Sequence, residues 1–290
     1  MIALQSCKII MKQKEMVMTS PKIKFAVMTF MYSGWLSRGG SHEELIRILA
    51  KSGADGIEAF CNLFMGNDEL LKLYKKQMAE NGLKMPVMDL ISNLACKEKS
   101  QRDVAYETMR KGIDICAALG SEIVHLAGCK TVEGVSSAEG RKLIAEGLMA
   151  FVDDVEKRGM TLAFEDFNPS PGLICSAADC LEILSLTDGR VKFVFDTGNF
   201  EAVGEHAEDN FAKLIKHTCH FHFKDFKPVT DLKVQYGAHF GKGVIKNREI
   251  VKMLKDSGYS GWVALESYLQ GDNGPAETVK PELDLLKSWF

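Results

Sequence analysis

The chain has no basic excess. Lys and Arg number 36 against 39 Asp and Glu, a formal net charge of −3. Nothing is left over to neutralise a phosphate backbone, which argues against nucleic acid as a partner. No window approaches eighteen uncharged apolar residues, so no membrane span is expected. No stretch matches G-x-G-x-x-G or a Walker loop, so the usual phosphate cradle of an open nucleotide-binding sheet is missing. The eight cysteines (Cys7, Cys61, Cys96, Cys116, Cys129, Cys175, Cys180 and Cys219) include no Cys-x-x-Cys pair, and several sit in apolar runs such as ICAALG. Scattered in this way they read as small buried hydrophobes of a reducing, cytoplasmic setting rather than as a disulfide framework. The remainder is 46% hydrophobic and 26% charged, an ordinary globular balance that excludes disorder and collagen-like repeats.

The first twenty residues, MIALQSCKIIMKQKEMVMTS, stand apart. Lys12, Lys14 and Glu15 break their apolar stretches, which does not suit a signal peptide. Residues 1–21 are expected to form a poorly ordered extension, and residues 22–290 a single domain.

From Lys22 onward one pattern recurs: a short apolar run, a turn, an amphipathic stretch, a glycine, then another apolar run. The runs are IKFAVMTF from Ile23, GIEAF from Gly56, LKMPVMDL from Leu83, EIVHLAG from Glu122, MTLAFEDF from Met160, VKFVFDTG from Val191, CHFHFKD from Cys219 and WVALES from Trp262. They are short, rich in Val, Ile, Phe and Ala, and lack a wet face, as parallel strands buried on both sides do. Helical stretches lie between them. SHEELIRILAKSG opens on a Ser41/Glu44 capping signal, SAADCLEIL on Ser176, and Gly53, Gly82, Gly120, Gly159 and Gly258 close amphipathic stretches. The repeat is roughly 34 residues, the length of a βα unit. Eight such units without a break in composition predict an α/β fold, a single (β/α)8 TIM barrel. PAETVKPELDLLKSWF is expected as the last helix on the barrel's outside. Its apolar Leu286, Trp289 and Phe290 suggest a surface for a homo-oligomer.

Active sites of such barrels lie at the carboxyl ends of the strands. The polar residues there are Glu58, Asp89, His125, Glu165, Asp196, His222 and Glu266. The last four sit at matching depth in consecutive runs. Burying several carboxylates together is costly without a positive partner, and no Arg lies in runs five, six or eight. One divalent cation meets that need, because adjacent strands are about 4.8 Å apart and ligand bonds about 2.0–2.2 Å long. Mostly oxygen donors with one nitrogen place Mn2+ ahead of Mg2+ or Co2+, with Zn2+ also compatible.

The ordered set LAFEDF, FVFDTGNF, CHFHFKDF, GKGVI and WVALES resembles the sugar phosphate isomerase/epimerase group of xylose isomerase-like TIM barrels, from Lys22 to the C-terminus. The resemblance implies one metal held by Glu165, Asp196, His222 and Glu266. It also implies proton transfer beside a carbonyl, with Glu165 and Glu266 as the acid/base pair and a metal-stabilised enediolate between them. The implied activity is ketose 3-epimerisation or aldose–ketose isomerisation of a sugar or sugar phosphate. An inosose-type dehydratase and a hydroxypyruvate-type isomerase would use the same site. A DNA-repair endonuclease of the same barrel is disfavoured by the acidic balance and the count of only seven His. A barrel that binds carbohydrate without catalysis is disfavoured by the pair of glutamates. Related epimerases often carry a His three residues after the strand-six Asp, where this chain has Asn199.

Further substrate-binding candidates are Glu58, His125, Asn199, Lys224 and Lys242, the last as a phosphate contact. Each has a plainer reading. Glu58 equally suits a structural ion pair, His125 a satisfied core histidine, and Lys224 with Asp225 a loop lock. His220 shares a strand face with His222 and is expected deeper in the barrel. Trp35, Phe167 and Phe200 are candidates for an apolar wall.

Overall fold

The computed structural model describes residues 23–169, 171–228, 237–268 and 274–290. The expected N-terminal extension, residues 1–21, lies outside the described residues. Each of the eight apolar runs forms a strand: β1 (Lys24–Met28), β2 (Gly56–Phe60), β3 (Val87–Ile91), β4 (Ile123–Gly128), β5 (Thr161–Glu165), β6 (Lys192–Asp196), β7 (Thr218–Phe223) and β8 (Trp262–Leu265). They pair in parallel in chain order, and β1 closes on β8 with Ala26 opposite Ala264. The expected (β/α)8 barrel is the fold.

The outer ring consists of α1 (His42–Lys51), α2 (Asp68–Asn81), α3 (Lys99–Leu119), α4 (Ser137–Lys157), α5 (Ala177–Leu186), α6 (Ala207–Leu214), α7 (Asn247–Asp256) and α8 (Pro275–Trp289). Their boundaries follow local chemistry. Ser41, Ser136 and Ser176 each accept the backbone N–H three residues on, and Asp179 returns the bond at Ser176. Gly82 and Gly120 end α2 and α3 in the left-handed region, at φ 68° and 73°.

Strand periodicity sorts the side chains into two cores. Val27, Ile57, Met88, Val124, Phe164, Phe195, Phe221 and Val263 face outward and join the large core beneath the helices. Their neighbours Val87, Ile123, Ala163 and Val194 meet inside the barrel, as do Ala26, Trp262 and Ala264. Side chains two residues apart share a face. The inward set Gly56, Val87, Ile123, Ala163, Val194, His220 and Ala264 is therefore followed, one step toward the carboxyl end, by Glu58, Asp89, His125, Glu165, Asp196, His222 and Glu266, all buried. Only β1 offers an apolar side chain at that step, Met28. A small, mostly apolar floor thus carries a ring of ionisable groups.

The C-terminus corrects one expectation. Leu286 is fully buried, Trp289 packs on Phe240 at 5.2 Å between ring centroids, and Phe290 meets Phe25 edge-on at 5.4 Å. Leu286 is therefore spent on the barrel's own outer layer instead of lying exposed as expected, while Trp289 and Phe290 stay half-buried.

Gly56 shows how tightly the floor is built. A Cβ there would stand 2.9 Å from the carbonyl oxygen of Lys84 and 2.9 Å from the Trp262 ring. Neither the backbone nor a buried indole can yield cheaply. Gly56→Ala is therefore expected to lower the unfolding free energy by about 1–3 kcal/mol in urea titrations. An unchanged midpoint would contradict this packing.

Candidate active site

The mouth of the barrel holds a cavity of about 240 Å3 lined in part by Asp89, Glu165, His222, Lys224 and Glu266. His222 is its centre. Its Nδ1 lies 3.1 Å from Glu266 Oε1, 3.5 Å from Glu165 Oε2 and 3.9 Å from Asp196 Oδ2. Its Nε2 faces the other way, 3.1 Å from Glu58 Oε2. Ligand atoms of Glu165, Asp196 and His222 lie within 4.8 Å of one another. Among the described residues two further triads share His222, namely Glu58–His220–His222 and Asp89–His125–His222. The four residues expected to gather around one ion are thus neighbours.

Several observations test whether they suit a divalent cation. Glu165 Oε2, Asp196 Oδ2 and His222 Nδ1 are buried and lack a well-formed hydrogen bond, although Lys224 Nζ approaches Asp196 Oδ2 to 2.7 Å. Three carboxylates and an imidazole form a hard donor set suited to such an ion. Glu58 can accept the Nε2–H of His222, which turns the Nδ1 lone pair toward the carboxylates. Burial alone would lower the His222 pKa, but Glu165, Glu266 and Glu58 outweigh it and hold the ring well above its ordinary value. A cation on Nδ1 would replace that proton. The residues fit the group.

Lys224 is the second positive partner. Its ammonium lies 2.7 Å from Asp196 Oδ2 and 2.9 Å from Glu266 Oε2. At Glu266 burial is outweighed by Lys224 and His222, which hold the carboxyl down at about 2. At Asp196 burial wins over Lys224, and the pKa is raised. Burial likewise raises Glu165, against the pull of His125 and His222. Gly198 makes the reach of Lys224 possible, because a Cβ there would lie 2.7 Å from Lys224 Cγ and 2.7 Å from the Phe226 ring.

The other candidates fall into different places. Glu58 lies below the cavity and binds His220 Nε2 at 2.8 Å as well as His222, and the two rings hold it near about 2 in spite of its burial. His220 is fully buried there, as expected. His125 is fully buried, its Nδ1 2.6 Å from Asp89 Oδ1 and its Nε2 4.0 Å from Glu165 Oε1. Burial lowers its pKa to about 4, so the ring is neutral. Asn199 lines the cavity, but its amide donates to Asp166 O at 2.6 Å and its oxygen accepts from Lys224 at 3.3 Å. It steadies the site instead of standing free for a sugar hydroxyl. Lys242 is exposed in a separate groove beside His239, Glu277 and Glu282, away from the mouth cavity. Asp225 is the loop lock, accepting backbone N–H groups of Phe226, Gly241, Gly243 and Ile245, whereas Lys224 points into the site. Phe167 lines the cavity, Phe200 is core, and Trp35 is absent from the cavity's wall.

One contributor escaped the sequence: Asp166, next to Glu165, is buried and accepts the N–H of Asp196 at 3.1 Å. Asp89, named from its place at the end of run three in step with the other carboxylates, orients His125.

A closed eight-stranded barrel with its ionisable side chains gathered at the strands' carboxyl ends is a TIM barrel of the enzyme-bearing kind. The chain belongs to the xylose isomerase-like TIM barrel family, whose model matches residues 46–289. It is similar to the L-ribulose-5-phosphate 3-epimerase UlaE of Salmonella heidelberg (strain SL476), 27% identical over 216 residues that cover 73% of this chain and 74% of that protein. Among solved structures, 3-keto-D-glucoside 4-epimerase YcjR from E. coli superposes with a TM-score of 0.74 at 17% identity, covering 92% of this chain and all (100%) of that one. The IOLI protein with a bound zinc atom gives 0.77 at 16% identity, covering 92% and 99%. These likenesses establish the fold. No helix among the described residues is long and apolar enough to cross a membrane.

Lys224 offsets two buried carboxylates, and removing one partner of such a group leaves the others uncompensated. Lys224→Met in chelator-treated protein is expected to cost about 3–5 kcal/mol of stability by urea unfolding. A change near zero would show that Asp196 and Glu266 do not depend on it.

Proposed function

We propose that this chain is a divalent-metal-dependent ketose 3-epimerase. One observation carries the reading: Glu165 and Glu266 approach the same atom, His222 Nδ1, at 3.5 and 3.1 Å, from strands three apart in a closed barrel. Two carboxylates facing one point can move a proton off one side of a carbon and onto the other. The 3-epimerase named among the relatives supports the same chemistry.

Glu165, Asp196, His222 and Glu266 would hold the ion, with Mn2+ preferred over Mg2+, Co2+ or Zn2+ for this donor set. Bound there, the cation supplies Lewis-acid polarisation of a carbonyl and its neighbouring hydroxyl. One glutamate takes the proton from the carbon beside the carbonyl, leaving an enediolate. The other returns a proton to the opposite face, which inverts that centre. Removal of a C1 proton instead, with a proton returned to the former carbonyl carbon, would give an aldose. Lys224, fixed by Asp196 and Asn199, keeps Glu266 in place. Phe167 and Ala127 help to shield the reacting carbon from water.

The substrate is best read as a neutral ketose. Among the described residues the only Lys or Arg lining the cavity is Lys224, and it is already committed to two carboxylates. Lys242, the expected phosphate contact, lies elsewhere.

The test is a panel of free and phosphorylated ketoses incubated with the Mn2+-loaded protein in D2O. A free ketose should gain deuterium at C3 together with its epimer, and chelation should stop the exchange. Glu165→Gln and Glu266→Gln should each lower kcat by about 100- to 10,000-fold. Deuterium at C1 with an aldose product would make the enzyme an isomerase, and loss of water would make it a dehydratase. No C–H exchange in any ketose would contradict the proposal.

A further inference from the structure

The cavity at the mouth does not end at the carboxylates. Phe30, after β1, and Phe60, at the end of β2, line it and also line a second groove of about 430 Å3. The two rings meet edge-on at 4.9 Å, forming a shared partition. Beyond it the groove is built from Leu36, Leu63 and Ile91, and its apolar character contrasts with the charged floor next door.

The exposure there is unusual. Six large hydrophobic side chains are exposed among the described residues, and three of them, Phe30 (54%), Leu63 (40%) and Ile91 (47%), line this one groove. Exposed apolar groups scattered singly need no explanation, but a cluster beside a site marks a binding surface. The cluster is also braced. Asn62 donates its amide to Ile91 O at 3.2 Å and accepts from Ile91 N at 3.0 Å, which fixes the end of β3 with Ile91 at the groove. At the far wall His42 Nδ1 pairs with Tyr74 Oη at 3.0 Å. Burial lowers the His42 pKa, so the groove carries no charge near neutral pH.

We propose that this groove is a subsite for an uncharged apolar substituent, aryl or alkyl, attached to the sugar held in the neighbouring cavity. The substrate class is then a substituted keto sugar, not a bare ketose. The inference rests on the epimerase reading above. The wall shared through Phe30 and Phe60 selects this occupant, because a group on a sugar in the first cavity has only to cross the rim of that wall, where Phe30 is 54% exposed, to reach the second. The absence of charged lining among the described residues excludes a phosphate or carboxylate tail.

The experiment compares D-psicose with its 1-O-benzyl and 6-O-benzyl ethers in the Mn2+-loaded enzyme. Deuterium exchange at C3 and calorimetric binding are both measured. One benzyl ether should show kcat/KM and affinity about ten-fold above the parent, the scale expected for burying a ring of this size. Leu63→Asp and Ile91→Asp, both on exposed side chains outside the mouth cavity, should each abolish that preference. Exchange on D-psicose itself should stay unchanged. If no sugar exchanges, the epimerase reading fails while the affinity ratio still reports on the groove. Equal binding of parent and ethers would overturn the subsite. So would a wild-type dimer that Leu63→Asp converts to monomer with no benzyl preference, because the groove would then seat a second copy of the chain.

Discussion

The structure turns on one face of β7. His220 and His222 occupy alternate positions there, Lys224 continues the same spacing one residue past the strand's end, and the three meet carboxylates on or just after four other strands. Glu58 from β2 takes both imidazoles, Glu165 and Glu266 flank His222, and Asp196 shares Lys224 with Glu266. Each unpaired buried charge costs several kcal/mol, so this many acids can share one mouth only because a single strand answers them with bases. A divalent ion among Glu165, Asp196, His222 and Glu266 would complete the same compensation. The buried pairs and the site's chemistry are thus one arrangement.

The chain around β7 is organised to hold that face steady. The Asp225 carboxylate accepts four backbone N–H groups from a loop that returns to the barrel, and Asn247, at the start of α7, donates to Lys224 O at 2.8 Å. On the β6 side Thr197 Oγ1 receives the N–H of Lys224, and Asp196 Oδ1 accepts the N–H groups of Gly198 and Asn199. Side chains that face the reacting point are therefore fixed by backbone partners behind them, which is what precise placement requires.

The eight strands were legible in the sequence because parallel strands are buried on both faces and appear as short unbroken apolar runs. The ring at the mouth was legible because an ionisable residue interrupts seven of the eight runs at the same step, two positions past another inward-facing residue. Partnerships were harder. Glu58 meets His220 and His222 across 162 and 164 residues of chain, and Asn199 spends its amide on Asp166 and Lys224. Such contacts depend on how far each strand is staggered when the barrel closes, and no local pattern records that stagger. Lys242 illustrates the same limit from the other side: its Gly-Lys-Gly context suggests a phosphate loop, whereas barrel closure carries it to an outer groove. Leu286, Trp289 and Phe290 read as an exposed apolar edge only until Phe25 and Phe240 are brought against them.

The central claim is that Glu165, Asp196, His222 and Glu266 together grip one cation. Anomalous diffraction at the manganese edge from crystals grown with Mn2+ tests it most directly. The account predicts a single strong peak enclosed by those four side chains at bond distances of about 2.0–2.2 Å. A peak at another cluster, or none at the mouth with Lys224 still spanning Asp196 and Glu266, would contradict it.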